Sequence, residues 1–169
     1  FKLQSFFFMP VFGLNNGLIP IISYNYGARN KKRMINTMKY GYLIAFAFML
    51  IGFVSFMLIP DKLLMMFQAS DEMLAIGVPA LRIISFHFLI AWYCIVTSTL
   101  FQAVGSAMYS AYVSVARQLV VLLPAAYILA KIGGVSFIWW SFPIAELMSF
   151  LISTICLKLT MKNKLSLLD

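Results

Sequence analysis

The chain has 169 residues, 63% of them hydrophobic and only 11% charged, with a mean hydropathy of +0.94. A soluble domain cannot hide that much apolar surface, which leaves a protein that crosses a bilayer several times and has no soluble domain. The formal net charge of +8 falls in two clusters without the polar and aromatic company that single-strand recognition needs, so nucleic acid is not an expected partner.

Runs of about 20 apolar residues predict helical spans, and five are legible: Leu3–Tyr26, Lys39–Ile59, Ala75–Leu100, Tyr112–Ala130 and Ile138–Leu159. The expected fold is an all-α membrane protein of about five transmembrane helices. The first span is interrupted by Gly13, Gly17 and Pro20 and carries Asn15, Asn16 and Asn25. A lipid-facing helix has no use for three amides, whereas glycines permit close helix approach and amides solvate a polar cavity. Asn15 and Asn16 are therefore expected in a cavity, with carbonyls freed by Pro20 beside them. Asn25, Tyr26 and Gly27 are expected to shape the helix end, with Gly27 as the stop.

Arg29, Lys31, Lys32, Arg33 and Lys39 follow in one short stretch, and Lys158, Lys162 and Lys164 gather near the other end of the sequence. The positive-inside rule places both clusters, and hence the C-terminus, in the cytoplasm. Between the second and third spans, Pro60 to Ser70 reads as an interfacial helix or turn. Ser70, followed by Asp71 and Glu72, suits the start of the third span. Arg82 lies two turns further on and is expected to pair with one of those acids. Gly105 marks a short turn, Gly133 and Gly134 another, and Trp139 with Trp140 fits an interfacial belt. Pro124 and Pro143 are expected to kink their helices. Cys94 and Cys156 fall inside spans and read as buried free thiols.

The pattern Pro-x-x-Gly-x-x-x-Gly-x-x-Pro-x-x-Ser-Tyr-Asn-Tyr-Gly-Ala, from Pro10 to Ala28, resembles a signature of multidrug and toxic compound extrusion (MATE) transporters. Leu100 to Gly105, Arg117-Gln118 and Pro143 to Glu146 follow in the order that family shows. The resemblance implies a twelve-helix, two-lobe transporter in a bacterial plasma membrane, of which residues 1–169 are the C-terminal lobe, helices eight to twelve. It implies antiport of small organic cations against H⁺ or Na⁺, no cofactor beyond that coupling ion, and partners in the membrane lipid and the N-terminal lobe of the same protein. The start at Phe1, on the outer side by parity, fits a piece of a longer chain.

Glu146 is the sharpest candidate for ion coupling, because it is the only carboxylate within a span and such a group costs at least about 2.5 kcal/mol to insert. His87, the only histidine, is the second candidate. A single histidine makes no zinc site, so no metal is expected. Arg117 is read as opening the fourth span, either as a snorkelling anchor or as a gate. Trp92, Tyr93, Phe101 and Gln102 are expected in the substrate cavity, where aromatic faces suit organic cations. Sodium-linked members of the resembled family carry an acid in the third span; Phe86 to Leu100 has none, which favours protons. A lipid-linked saccharide flippase of the same broad superfamily is the alternative. An intramembrane enzyme is not expected, since no His-Glu-x-x-His, paired aspartates or Gly-x-Ser-x-Gly is present.

Overall fold

The computed structural model describes residues 2–165, and they are helical almost throughout. Helix α1 runs Lys2–Gly27, α2 Lys31–Leu58, the short α3 Pro60–Met65, α4 Asp71–Ser85 and α5 Phe88–Ala103. Then come α6 Ala107–Val115, a π-helical stretch Ala116–Leu122, α7 Leu123–Gly133, the single turn α8 Val135–Ile138, and α9 Ser141–Thr160, which ends in a second π-helical turn, Met161–Leu165. Among the described residues four helical segments are long and apolar enough to cross a bilayer, and α4 with α5 supplies a fifth span bent by 53°.

That bend corrects the sequence reading, which put the break in the first span. α1 absorbs Pro10 and Pro20 and remains one helix. The third span breaks at Phe86 and His87, whose backbone N–H groups bond back only three residues, to Ile83 and Ile84. At the bend, His87 Nδ1 donates to the Ile84 carbonyl, the acceptor a continuous helix would give to Phe88.

Two long helices, α1 and α2, lie side by side, and α5 packs on both; α9 covers the far side of α5 and meets the α6–α7 span. The inner face of α2 is Met34, Met38, Gly41, Ala45, Met49, Gly52 and Phe56, a repeat of three and four residues that suits close, nearly parallel packing. A Cβ on Gly41 would meet Leu18 at 2.7 Å, and one on Gly52 would meet Phe7 and Phe88 at 3.1 Å. Close helix approach is thus built on α2, whereas Gly13 and Gly17 have no atom within 4 Å of such a Cβ. Large apolar side chains such as Leu119, Val120, Tyr127, Ile128 and Ile155 stay exposed on the outside. In lipid, shape complementarity and polar contacts hold helices together, since the surroundings are as apolar as the core.

Helix ends follow local chemistry. Ser70 caps α4 by accepting from the Met73 N–H at 3.3 Å, as expected. α1 does end at Gly27, but the left-handed residue that turns the chain is Arg29, at φ 55°, and the expected role of Gly27 as the conformational stop passes to it. Asn25 is buried and donates to the Ile21 carbonyl at 2.8 Å, and its own carbonyl accepts from the Asn30 N–H. Tyr26 packs against the core cluster. Pro143 lies in the first turn of α9, where a missing N–H costs little, so it is not the expected mid-helix hinge. Arg82 is ten or more residues from Asp71 and Glu72 along one helix, about 15 Å, too far for the expected pair. Cys94 and Cys156 are free and buried.

Candidate functional site

Two open cavities lie between α1, α5, α9 and the α6–α7 span. The first, of about 280 Å³, is bounded by Phe12, Asn15, Asn16, Ile95, Ser98, Gln102, Ser110, Arg117 and Ser149, among others. The second, of about 420 Å³, is bounded by Gln4, Phe8, His87, Arg117, Gln118, Phe142 and Glu146, among others. Phe12, Ile95 and Arg117 belong to both, so the two share a wall.

Arg117 forms the polar part of that wall. The sequence reading placed it at the start of the fourth span, but the span begins at Ala107, which puts Arg117 about 15 Å in. A side chain there has no interface within easy reach, and it turns to Glu146: Nη1 donates to Oε2 at 3.3 Å. The Arg117 side chain is 37% exposed and the Glu146 side chain 4%, so the pair joins a cavity-facing cation to a buried anion. The π-helical stretch begins one residue before Arg117. Such stretches widen a helix and redirect its side chains, and they recur at functional sites.

Glu146 is only half satisfied. Its Oε1 finds no hydrogen-bond partner among the described residues. One and two turns further along the same face of α9, Ser149 Oγ and Ser153 Oγ are buried and equally unpartnered, and Asn15 Oδ1 across the first cavity is a fourth such atom. Cys94 lies beside Glu146 and Ser153. Buried polar atoms are nearly always paired in folded proteins, so the orphans Glu146 Oε1, Ser149 Oγ and Asn15 Oδ1, on residues that border the two adjoining cavities, mark a place suited to water, an ion or a polar ligand.

His87 is buried on the second cavity, at the bend of the third span. Because Nδ1 donates to a carbonyl, Nε2 accepts, and the Gln4 amide supplies the hydrogen at 3.0 Å. The ring stacks on Phe8 at 5.5 Å and 11° and has Phe88 and Phe142 around it. His87 and Glu146 therefore border the same cavity, although they lie on different spans far apart in the chain.

The expected cavity set divides by helical phase. Asn15, Asn16 and Gln102 border the first cavity, and Gln102 Nε2 donates to Ser110 Oγ at 3.3 Å. Trp92, Tyr93 and Phe101 border neither of these two cavities. Trp92 Nε1 donates to the Leu89 carbonyl and the ring packs on Tyr42 and Phe46. Tyr93 stacks on Tyr42 and shares a hydrogen bond with Thr154. Phe101 is fully buried against Tyr109. The cavity face of α5 is instead Cys94, Ile95, Ser98 and Gln102, in which Ser98 stands one turn from Cys94 and from Gln102. Gln4, Ser98, Ser110, Ser114 and Ser149 border the cavities and were not singled out by sequence; the i+3 spacing from Glu146 would have found the last. Among the described residues no cluster of three potential metal ligands exists.

Residues 1–128 match the family model described as MatE. The chain belongs to the MatE family. A curated relative is the multidrug export protein MepA of Staphylococcus haemolyticus (strain JCSC1435), 23% identical over 146 residues that make up 86% of this chain and 32% of that protein. Among solved structures, the MATE multidrug transporter DinF-BH, determined in complex with a ligand, aligns with a TM-score of 0.85 and 33% identity, over 95% of this chain and 36% of that one. An inward-facing MATE family transporter of the MOP superfamily aligns with a TM-score of 0.83 at 21% identity, over 96% of this chain and 39% of that one. This MatE chain thus spans about a third of the length of the relatives it matches, and its helical fold is theirs.

Proposed function

We propose that this chain is the C-terminal lobe, helices eight to twelve, of a secondary antiporter that exports organic cations in exchange for H⁺ or Na⁺. Membership in the MatE family and the likeness to multidrug transporters support the activity. The observation that carries the mechanism is the half-satisfied Glu146 on a cavity wall, held by Arg117 through one oxygen only. In this reading the coupling ion is taken up at Glu146, as a proton on the carboxylate or as Na⁺ at Oε1 beside Ser149. Neutralising the carboxylate weakens its hold on Arg117, and the freed guanidinium repels a cationic substrate. Substrate and coupling ion then exclude one another, which is the requirement for exchange. His87 ties the bend of the third span to α1 through Gln4, at the edge of the second cavity. The end of the bundle with Arg29 to Lys39 and Lys158 to Lys164 faces the cytoplasm, in a bacterial plasma membrane.

A lipid-linked saccharide flippase would need several cations to meet a pyrophosphate. Among the residues bordering the two cavities, Arg117 alone is a guanidinium or ammonium group. The test is efflux of ethidium from proteoliposomes holding the full-length protein, with a pH gradient or a Na⁺ gradient imposed. Efflux driven by one of the two ions is the expected result; none with either, from correctly inserted protein, sinks the proposal.

A further inference from the structure

The α6–α7 span carries an extra residue where it meets Glu146. Its half-buried residues come in pairs that mark an inner side: Ala116–Arg117, Val121–Leu122, Ala125–Ala126 and Leu129–Ala130. The first two pairs stand five residues apart and the later ones four. A π-helix closes its hydrogen bonds over five residues where an α-helix uses four, so the stretch Ala116–Leu122 keeps Arg117 and Leu122 on one side. Leu119 and Val120, between the pairs, are exposed. Pro124, just past the stretch, has no N–H for the Val120 carbonyl, which narrows the advantage of α winding there. Wound as α, the same residues would turn the half Ala107–Arg117 by about 100° against the half Leu123–Gly133, the angle of one residue. Each residue of the turning half then takes the place of the one before it. Gln118 comes to where Arg117 meets Glu146, and Val115 to where Ser114 borders the first cavity. Arg117 moves to the place of Ala116, still on the inner side.

We propose that Gln118 is the second partner of Glu146, taking over from Arg117 when the carboxylate takes up a proton and the π stretch rewinds as α. A guanidinium suits a carboxylate, whereas a primary amide offers both the donor and the acceptor that a neutral carboxyl needs. Gln118 already borders the second cavity, as Glu146 does, and Glu146 Oε1 is without a partner among the described residues. The other titratable groups around Glu146 are Cys94 on α5 and His87 across the second cavity, and neither lies on the turning half. This exchange of partners rests on the proton form of the reading above, in which Glu146 is neutralised during turnover.

The test is labelling of the full-length protein, freed of its other cysteines, with a membrane-impermeant thiol reagent; Glu146→Gln stands in for the neutral acid. Val115→Cys is expected to react at least about tenfold faster with Glu146→Gln than without it, and Ser114→Cys to slow by a similar factor. Gln118→Leu, which leaves no amide to replace Arg117, is expected to cancel most of both changes. Deletion of Val120 removes the extra residue, so Arg117 stays on the inner side in plain α winding. In that variant Val115→Cys is expected to label alike with and without Glu146→Gln. Equal labelling of Val115→Cys with and without Glu146→Gln in the undeleted protein overturns the proposal. So does an acceleration that survives both Gln118→Leu and the deletion. Where the deletion variant fails to fold, Gln118→Leu decides. Labelling needs no transport, so a protein that shows the shift but no ion-driven efflux fails the antiport reading and keeps the exchange of partners.

Discussion

Arg117 and Glu146 meet across two spans at 3.3 Å, and only one carboxylate oxygen is engaged. The pair ties the α6–α7 span to α9 at the wall between two cavities. Removing one partner of a buried pair leaves a charge uncompensated, at about 3–5 kcal/mol when both are fully buried. Arg117 is partly solvated, so about 2 kcal/mol is the expected loss for Glu146→Gln or for Arg117→Gln. The double variant is expected to lose less than the sum of the two. Thermal unfolding in detergent reads all three, and strictly additive losses would mean that the two side chains do not interact.

Cavity exposure is open to cysteine labelling in a background of Cys94→Ala and Cys156→Ala. Asn16→Cys and Gln102→Cys are expected to react with a membrane-impermeant thiol reagent. Trp92→Cys and Phe101→Cys are expected to react at least about tenfold more slowly, because both positions pack away from the cavities. Rapid labelling at position 101 would show that the face of α5 has been misassigned.

Ser98 and Ser149 border the first cavity with small side chains. Ser98→Phe fills much of that space and is expected to weaken organic-cation binding at least about tenfold. Thermal stability should fall little, since the new ring occupies room already present. Equilibrium titration with a fluorescent cation checks it; unaltered affinity would move the substrate out of this cavity.

Gly52 and Gly17 give an opposed pair of expectations. Gly52→Val drives side-chain atoms into Phe7 and Phe88 and is expected to cost about 1–3 kcal/mol. Gly17→Ala meets no atom and is expected to leave unfolding of this helical unit unchanged. A reversed order of melting temperatures would contradict the packing of α1 on α2.

Much of the helical layout was legible because it follows from apolar run length and turn residues. Gly105 and Gly134 stand at positive φ where turns were expected, and Ser70 caps α4. The bend at His87 was not legible, because no proline or glycine sits there; a ring nitrogen takes a backbone carbonyl at the bend, and composition does not register that competition. Close-packing glycines were sought in the eye-catching motif of α1, whereas the contact repeat lies on α2. Glu146, His87, Asn15, Asn16 and Gln102 stood out in the sequence as rare polar groups at depth, and each borders one of the two cavities. Trp92, Tyr93 and Phe101 were picked by side-chain chemistry without helical phase, and they lie off the α5 face that borders the two cavities. Arg117 was misplaced because a charge was taken as a span boundary, although a buried carboxylate 29 residues later lets it sit inside.

The central claim is that the coupling ion and the substrate exclude one another at Glu146. Equilibrium binding of ethidium to the purified full-length protein, measured against falling pH and against rising Na⁺, tests it most directly. One of the two ions is expected to weaken ethidium binding at least about tenfold in the intact protein, and that dependence is expected to vanish in Glu146→Gln. Ion dependence that persists undiminished in Glu146→Gln would contradict the account and place the coupling site elsewhere in the protein.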